Sequence, residues 1–264
     1  MSDPVSRTIL LLDIEKYSDR DDIEQAYLRR MLYGITDRIL ESAGIDGTLR
    51  RRADRGDSVM ELIDAGASMT GLLRALLSEL PVELRAVNRM ASASAQIRLR
   101  AVLATGYVTI DELDGWVGTH LNLACRLLDG ELLRAALRER PDDFALCVSE
   151  TVHSGIVRHD YPGIPKDEFH AVTMGSKNGP LRAWLHGPVP RGVSSDTCDA
   201  PDDTGHRAEP PGPTRAEPSS VNFLGGSPSF GGSFVNGDQH GVSGGVVHGD
   251  VHLGGNTREH GERK

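Results

Sequence analysis

Aromatic residues make up only 5% of this 264-residue chain, and cysteine occurs three times, as Cys125, Cys147 and Cys198. Thiols so widely spaced, without metal-ligand neighbours, exclude a disulfide scaffold and indicate reduced cysteines in a cytoplasmic protein. No apolar run reaches the roughly 18 residues of a membrane span, and the N-terminus lacks the basic segment and apolar stretch of a signal peptide. The expectation is a cytoplasmic chain with no membrane span. Excess positive charge is missing too: the formal net charge of −9 argues against nucleic acid as a partner. Arg50-Arg51-Arg52 is a local exception that reads first as a solvated strand edge.

What is present divides the chain into four parts. Residues 5–187 carry enough periodic apolar sequence for a full core. Residues 188–220 form a Pro-rich linker, with seven prolines from Pro188 to Pro218 among polar residues; it is disordered by composition. Residues 221–255 are Gly-rich, and 256–264 are a polar terminus. Within the first part, residues 8–14 read as a strand buried on both faces. Residues 21–42 show helical spacing ending at Gly44. Residues 48–54 and 58–63 read as a hairpin, and 67–88 as a helix interrupted near Pro81. Strands are expected at 97–103 and 107–110 around a Thr105-Gly106 turn, and a helix over 117–137. A strand over 144–148, a short helix near 151–157 and strands over 168–174 and 181–186 complete the pattern. Strands alternating with helices, with a hairpin inserted, predict an α/β fold (an α+β sandwich) with a ferredoxin-like core.

Three stretches carry chemistry. Leu12-Asp13-Ile14-Glu15-Lys16-Tyr17-Ser18 closes an apolar run and leaves Asp13 at a strand end. Arg55-Gly56-Asp57-Ser58-Val59-Met60-Glu61-Leu62 puts Asp57 in a Gly-Asp turn. Gly118-Thr119-His120-Leu121-Asn122-Leu123-Ala124-Cys125-Arg126 puts Asn122 and Arg126 at i and i+4, on one helix face. Taken singly, these are a strand-to-loop Asp, an exposed hairpin Asp and a surface arginine. Together, in this order and separation, they resemble the class III adenylate/guanylate (nucleotidyl) cyclase catalytic domain, of actinobacterial type, over roughly residues 5–187.

The resemblance implies a metal-binding pair, Asp13 and Asp57, holding two Mg2+ or Mn2+ per site. It implies catalytic Asn122 and Arg126 stabilising the transferring phosphates, with Gly56 beside the nucleotide. The substrate would be a nucleoside triphosphate, cyclised by in-line attack of the ribose 3′ oxygen on the α-phosphorus with loss of pyrophosphate. Hard oxygen ligands suit magnesium, and a guanidinium suits charge building on phosphoryl oxygens. In this context the arginine run at 50–52 has a second reading, as a triphosphate attractor. The family builds its site across a homodimer, the aspartates from one subunit and the Asn and Arg from the other. At the base-selecting positions the chain departs from the pattern, with Ala53 where the adenylyl-selecting form has Lys and Gly115 where it has Asp. A one-residue register shift would bring in Asp54, Asp114 or Trp116. Two functions follow: an active cyclase with altered base choice, or a catalytically weak homolog acting as a nucleotide-sensing or dimerising module.

The Gly-rich part repeats itself: Gly-Asp-Gln-His at 237–240 returns as Gly-Asp-Val-His at 249–252. Residues 221–255 hold eleven glycines and two charged residues, Asp238 and Asp250. Residues 234–254 resemble bacterial amyloid signalling motifs, similar to the RIP homotypic interaction motif. The resemblance implies stacked β-arches with Val242, Val246, Val247 and Val251 in dry contacts, and a partner protein bearing a matching motif. The other readings are a disordered tail, or metal binding by His240, His248 and His252 with Asp238 and Asp250.

Overall fold

Apolar residues fill the strand β1, Val5–Ile14, so thoroughly that its last seven residues are all buried. Such a strand must lie inside a sheet, and β1 pairs antiparallel with β3 (Ser58–Asp64) on one side and β4 (Leu99–Ile110) on the other. The computed structural model describes residues 3–113, 115–174 and 179–191. They belong to a unit spanning Met1–Asp202. Asp114, Cys198, most of the linker, the Gly-rich segment with Val242, Val246, Val247 and Val251, and the terminus lie outside the described residues.

The sheet has eight strands in the order β2-β3-β1-β4-β6-β8-β7, with the two-residue β5 (Trp116–Val117) pairing with β4. Here β2 is Arg50–Asp54, β6 Phe144–Ser149, β7 Phe169–Met174 and β8 Leu181–His186. The β4–β6 pair is parallel, whereas the other ladders are antiparallel. Strands β1 to β4, with α1 (Asp22–Ser42) after β1 and α2 (Met69–Met90) after β3, form the expected ferredoxin-like βαββαβ core. Helices α1 and α2 cover one face of the sheet, where Leu32, Ile35, Leu76 and Leu80 meet Leu10 and Leu12. Helices α3 (Thr119–Asp129) and α4 (Glu131–Glu139) cover the other, where Leu121, Leu127 and Leu133 meet Ile9 and Leu11. The short α5, Glu150–Gly155, follows β6. No helix among the described residues is long and apolar enough to cross a membrane.

Local chemistry explains the boundaries. Asp21, expected inside α1, is its N-cap: its carboxylate accepts from the Glu24 amide at 2.8 Å, and the Glu24 side chain returns the bond. Three expectations need correction. Pro81 does not interrupt α2. The stripe of Leu72, Leu73, Leu76, Leu80 and Leu84, all fully buried, outweighs the ~3 kcal/mol that an interior proline costs a helix. No turn divides β4 at Thr105-Gly106, because an unbroken ladder to β1 runs from Val5↔Val108 to Ile14↔Leu99. Gly106 answers to space instead: a Cβ there would lie 2.1 Å from His120 Cγ on α3. The helix expected over 117–137 starts at Thr119 and breaks at Gly130, the C-cap of α3 and N-cap of α4. A side chain at Gly130 would meet Met174 Sδ at 2.6 Å.

Candidate active site

Sheet register sets the first feature. Asp13, near the end of β1, stands opposite Ser58 of β3 and Arg100 of β4. It shares strand parity with Ile9 and Leu11, so its carboxylate faces the α3 side. The β2–β3 turn brings Asp57 alongside, with the Ile14 amide donating to the Asp57 carbonyl at 3.0 Å. Gly56 turns this hairpin with φ +83°. Its amide donates to Asp54 Oδ1 at 2.8 Å, so the conformation, not nearby atoms, calls for glycine. Asp13 and Asp57 line one cavity of about 290 Å3, together with Arg55, Cys125 and Asp129.

Electrostatics at this spot are unusual. Asp13 is 7% exposed, and burial pushes its carboxyl up to about 6, with Asp57 and Asp129 adding repulsion. Arg100 opposes the rise through an ion pair with Asp13 Oδ2. Burial also pushes the Cys125 thiol up, so it faces the cavity as a neutral group. Asp57 borders a second cavity of about 360 Å3 as well, lined by the loop Glu15–Ser18 and by Arg100, Arg134 and Arg138. Carboxylates on one side and guanidiniums on the other make a place for a metal-bound polyanion.

Asn122 and Arg126 are exposed on α3 and lie outside that carboxylate cavity, which the same helix lines with Cys125, Leu128 and Asp129. One chain thus joins Asp13 to Asp57 but not to Asn122 or Arg126. Ala53 and Gly115 do come together: they line a cavity of about 530 Å3 with Arg51, Arg52, Arg55 and Trp116. Asp54 takes no part, since it pairs with Arg29. Arg50 and Arg52 turn toward α1, donating to Asp37 at 2.7 Å and pairing with the fully buried Glu61. The run at 50–52 is therefore an edge strand whose alternate arginines serve different faces.

No family model matches the chain, and no curated protein matches it in sequence. Solved structures similar to it are cyclase domains. The guanylyl cyclase Cya2 is 18% identical, over 73% of this chain and 98% of its own, with a TM-score of 0.49. An adenylate/guanylate cyclase/hydrolase from Silicibacter pomeroyi is 20% identical, over 71% and 99%, with a TM-score of 0.48. The guanylate cyclase domain of RhGC from Catenaria anguillulae, solved with GTP, is 15% identical, over 74% and 99%, with a TM-score of 0.45. At these values the likeness says nothing of activity, which this chain's own residues must decide.

The donor set suits a hard divalent cation. Asp13 and Asp57 offer carboxylate oxygens in one cavity, where burial raises the Asp13 carboxyl to about 6 and Asp57 adds to the rise. No group of three or more His, Cys, Asp or Glu among the described residues forms a protein cage for a metal. Magnesium needs none, since it binds one or two carboxylates plus waters and phosphates. Sequence reasoning missed Arg100, Arg134 and Arg138. Arg100 had a signal, a charge within an apolar strand, but its meaning depends on the pairing to β1.

Proposed function

We propose that this chain is a class III nucleotidyl cyclase-like signalling protein that converts a nucleoside triphosphate to a cyclic nucleotide and pyrophosphate at a homodimer interface. The convergence of Asp13 and Asp57 on one cavity, beside the cavity lined by Arg100, Arg134 and Arg138, is the observation that carries this reading. Asp13 and Asp57 would hold two Mg2+ or Mn2+. When bound, these supply charge to activate the ribose 3′ oxygen and to neutralise the triphosphate. The guanidiniums hold and orient the phosphates. As the 3′ oxygen bonds to the α-phosphorus, the bond to the bridging oxygen breaks and pyrophosphate leaves. Asn122 and Arg126 would come from a second copy, reaching this copy's carboxylate cavity and stabilising charge on the transferring phosphoryl group; their exposure on α3 supports that role.

One observation favours a second reading, a catalytically weak homolog that senses nucleotide or dimerises, and signals through its Gly-rich tail. Arg100 pairs with Asp13, so a cation would compete with a guanidinium. Purified protein with Mg2+ or Mn2+ and each of the four nucleoside triphosphates, assayed for cyclic product by mass spectrometry, tests the first reading. Product is expected from wild type and none from Asp57→Asn. Metal-dependent nucleotide binding without product would leave the sensing role; metal-independent binding, unchanged in Asp57→Asn, would overturn the cyclase reading of the Gly56-Asp57 turn.

A further inference from the structure

Asp57 stands in the turn of the β2–β3 hairpin, and β2 is an edge strand of the sheet. On the inner side the turn leans on β1, where the Ile14 amide donates to the Asp57 carbonyl at 3.0 Å. On the outer side one carboxylate does the bracing. Asp54, the last residue of β2, gives its two oxygens to different elements. Its Oδ1 accepts from the Gly56 amide at 2.8 Å and so closes the turn. Its Oδ2 pairs with the Arg29 guanidinium of α1.

Helical spacing explains why α1 can hold the hairpin along its length. Arg29, Tyr33 and Asp37 recur every four residues and share one face. Asp37 takes the body of the hairpin through Arg50 and Arg52, which also pair with Glu61. Arg29 takes the turn through Asp54, with its guanidinium 5.4 Å from the centre of the Tyr33 ring. The two attachments are separate, so the strands keep their anchor when the turn loses its own. The turn needs one, because Gly56 sits at φ +83° and an added Cβ there would meet no atom within 4 Å. Without the Asp54 acceptor, a glycine in open space leaves the Asp57 carboxylate free to wander from Asp13.

Resting on the cyclase reading, we infer that Asp54 and Arg29 are positioning residues for the divalent cations. Arg29 anchors Asp54 to α1, Asp54 shapes the Gly56 turn, and the turn keeps the Asp57 carboxylate beside that of Asp13. Asp54 acts through Asp57 and not on the metal itself. Both of its oxygens are engaged, and it is not among the residues that line the cavity of Asp13 and Asp57. Groups that orient a metal-binding carboxylate from behind usually change metal affinity by about 10- to 100-fold when removed.

The test titrates Mn2+ into the full-length protein holding a trace of each nucleoside triphosphate in fluorescent form. It reads the Mn2+ concentration that gives half-maximal nucleotide binding, beside the urea midpoint. Asp54→Ala should raise that concentration about tenfold or more. Asp54→Asn keeps an oxygen for the Gly56 amide and loses the charge facing Arg29, so it should match Arg29→Met, at about two- to fivefold each. The double variant Arg29→Met/Asp54→Asn should be no worse than either, since one link is cut once. An unmoved Mn2+ requirement in Asp54→Ala, even with a lowered urea midpoint, would overturn the inference and leave Asp54 a purely structural part. Asp54→Asn as severe as Asp54→Ala, with Arg29→Met at the wild-type value, would also overturn it by making Asp54 a metal ligand. Should Asp54→Ala not fold, the other variants decide: losses that multiply in the double variant, or no loss in any, would count against the link. Mn2+-dependent binding that is lost in Asp57→Asn and unchanged in all these variants would defeat this role alone. Wild-type nucleotide binding indifferent to Mn2+ would defeat the cyclase reading and this role with it.

Discussion

Asp13 carries the greatest electrostatic tension among the candidate site residues. Its carboxyl is raised from the ordinary 3.8 to about 6 by burial. A raised acid binds its proton more tightly in the folded state, so apoprotein stability falls as pH rises from about 4 to 6. The loss is largest above that window, up to about 3 kcal/mol. Asp13→Asn removes the titration. In denaturant midpoints measured without metal, the mutant should gain on wild type progressively across pH 4 to 6 and stay ahead at pH 7.5. Mg2+ should then raise the wild-type midpoint and leave that of Asp13→Asn unmoved. A pH-independent difference between the two proteins would contradict this account.

Among the elements, the crossing of β4 and α3 governs where Asn122 and Arg126 stand. His120 packs onto Gly106 so closely that a Cβ would lie within 2.5 Å of its Cγ, Cβ and Nδ1. Gly106→Ala should cost about 1–3 kcal/mol by overpacking, with α3 pushed off the sheet. Adding His120→Ala should recover much of that loss, giving a coupling energy that urea titrations of the four proteins would expose. Additive losses would mean that the ring moves aside freely. The hairpin β2–β3 is held differently, by Glu61 under Arg50 and Arg52, with Tyr33 4.8 Å beneath the Arg52 guanidinium. Truncating Glu61 to Ala would leave two partly buried guanidiniums with Asp37 as their remaining partner, a loss of about 1–3 kcal/mol. Faster amide exchange along β2 would report it.

For the whole molecule, the separation of Asp13 and Asp57 from Asn122 and Arg126 predicts complementation. Asp57→Asn and Arg126→Ala proteins, each inactive, should recover about a quarter of wild-type activity when equal amounts exchange subunits at random. A mixture that stays inactive despite proven exchange, with wild type active, would place the site within one chain. The Gly-rich segment predicts assembly: a peptide of residues 234–254 should form fibrils with a spacing near 4.7 Å. Val247→Asp adds a charge to each layer and should prevent it. A peptide that stays monomeric when seeded would leave only a flexible tail.

Local chemistry accounts for what was legible in the sequence. The apolar run of β1, the capped periodicity of α1, the Gly56-Asp57 turn and the i, i+4 pairing of Asn122 and Arg126 are all written in near-neighbour patterns. They are enough to place a strand-end Asp, a hairpin Asp and a helix face. The continuous α2, the unbroken β4 and the break at Gly130 were not legible, because each depends on a distant surface: the leucine core, the β1 ladder and Met174. The candidate site divides in the same way. Residue types and spacing singled out Asp13 and Asp57, but the Arg100–Asp13 ion pair joins positions 87 residues apart through sheet register. Only tertiary structure sets Ala53 against Gly115 and Trp116 to open a cavity edged with donors, since burial and charge at one residue are decided by side chains that sequence neighbours do not supply.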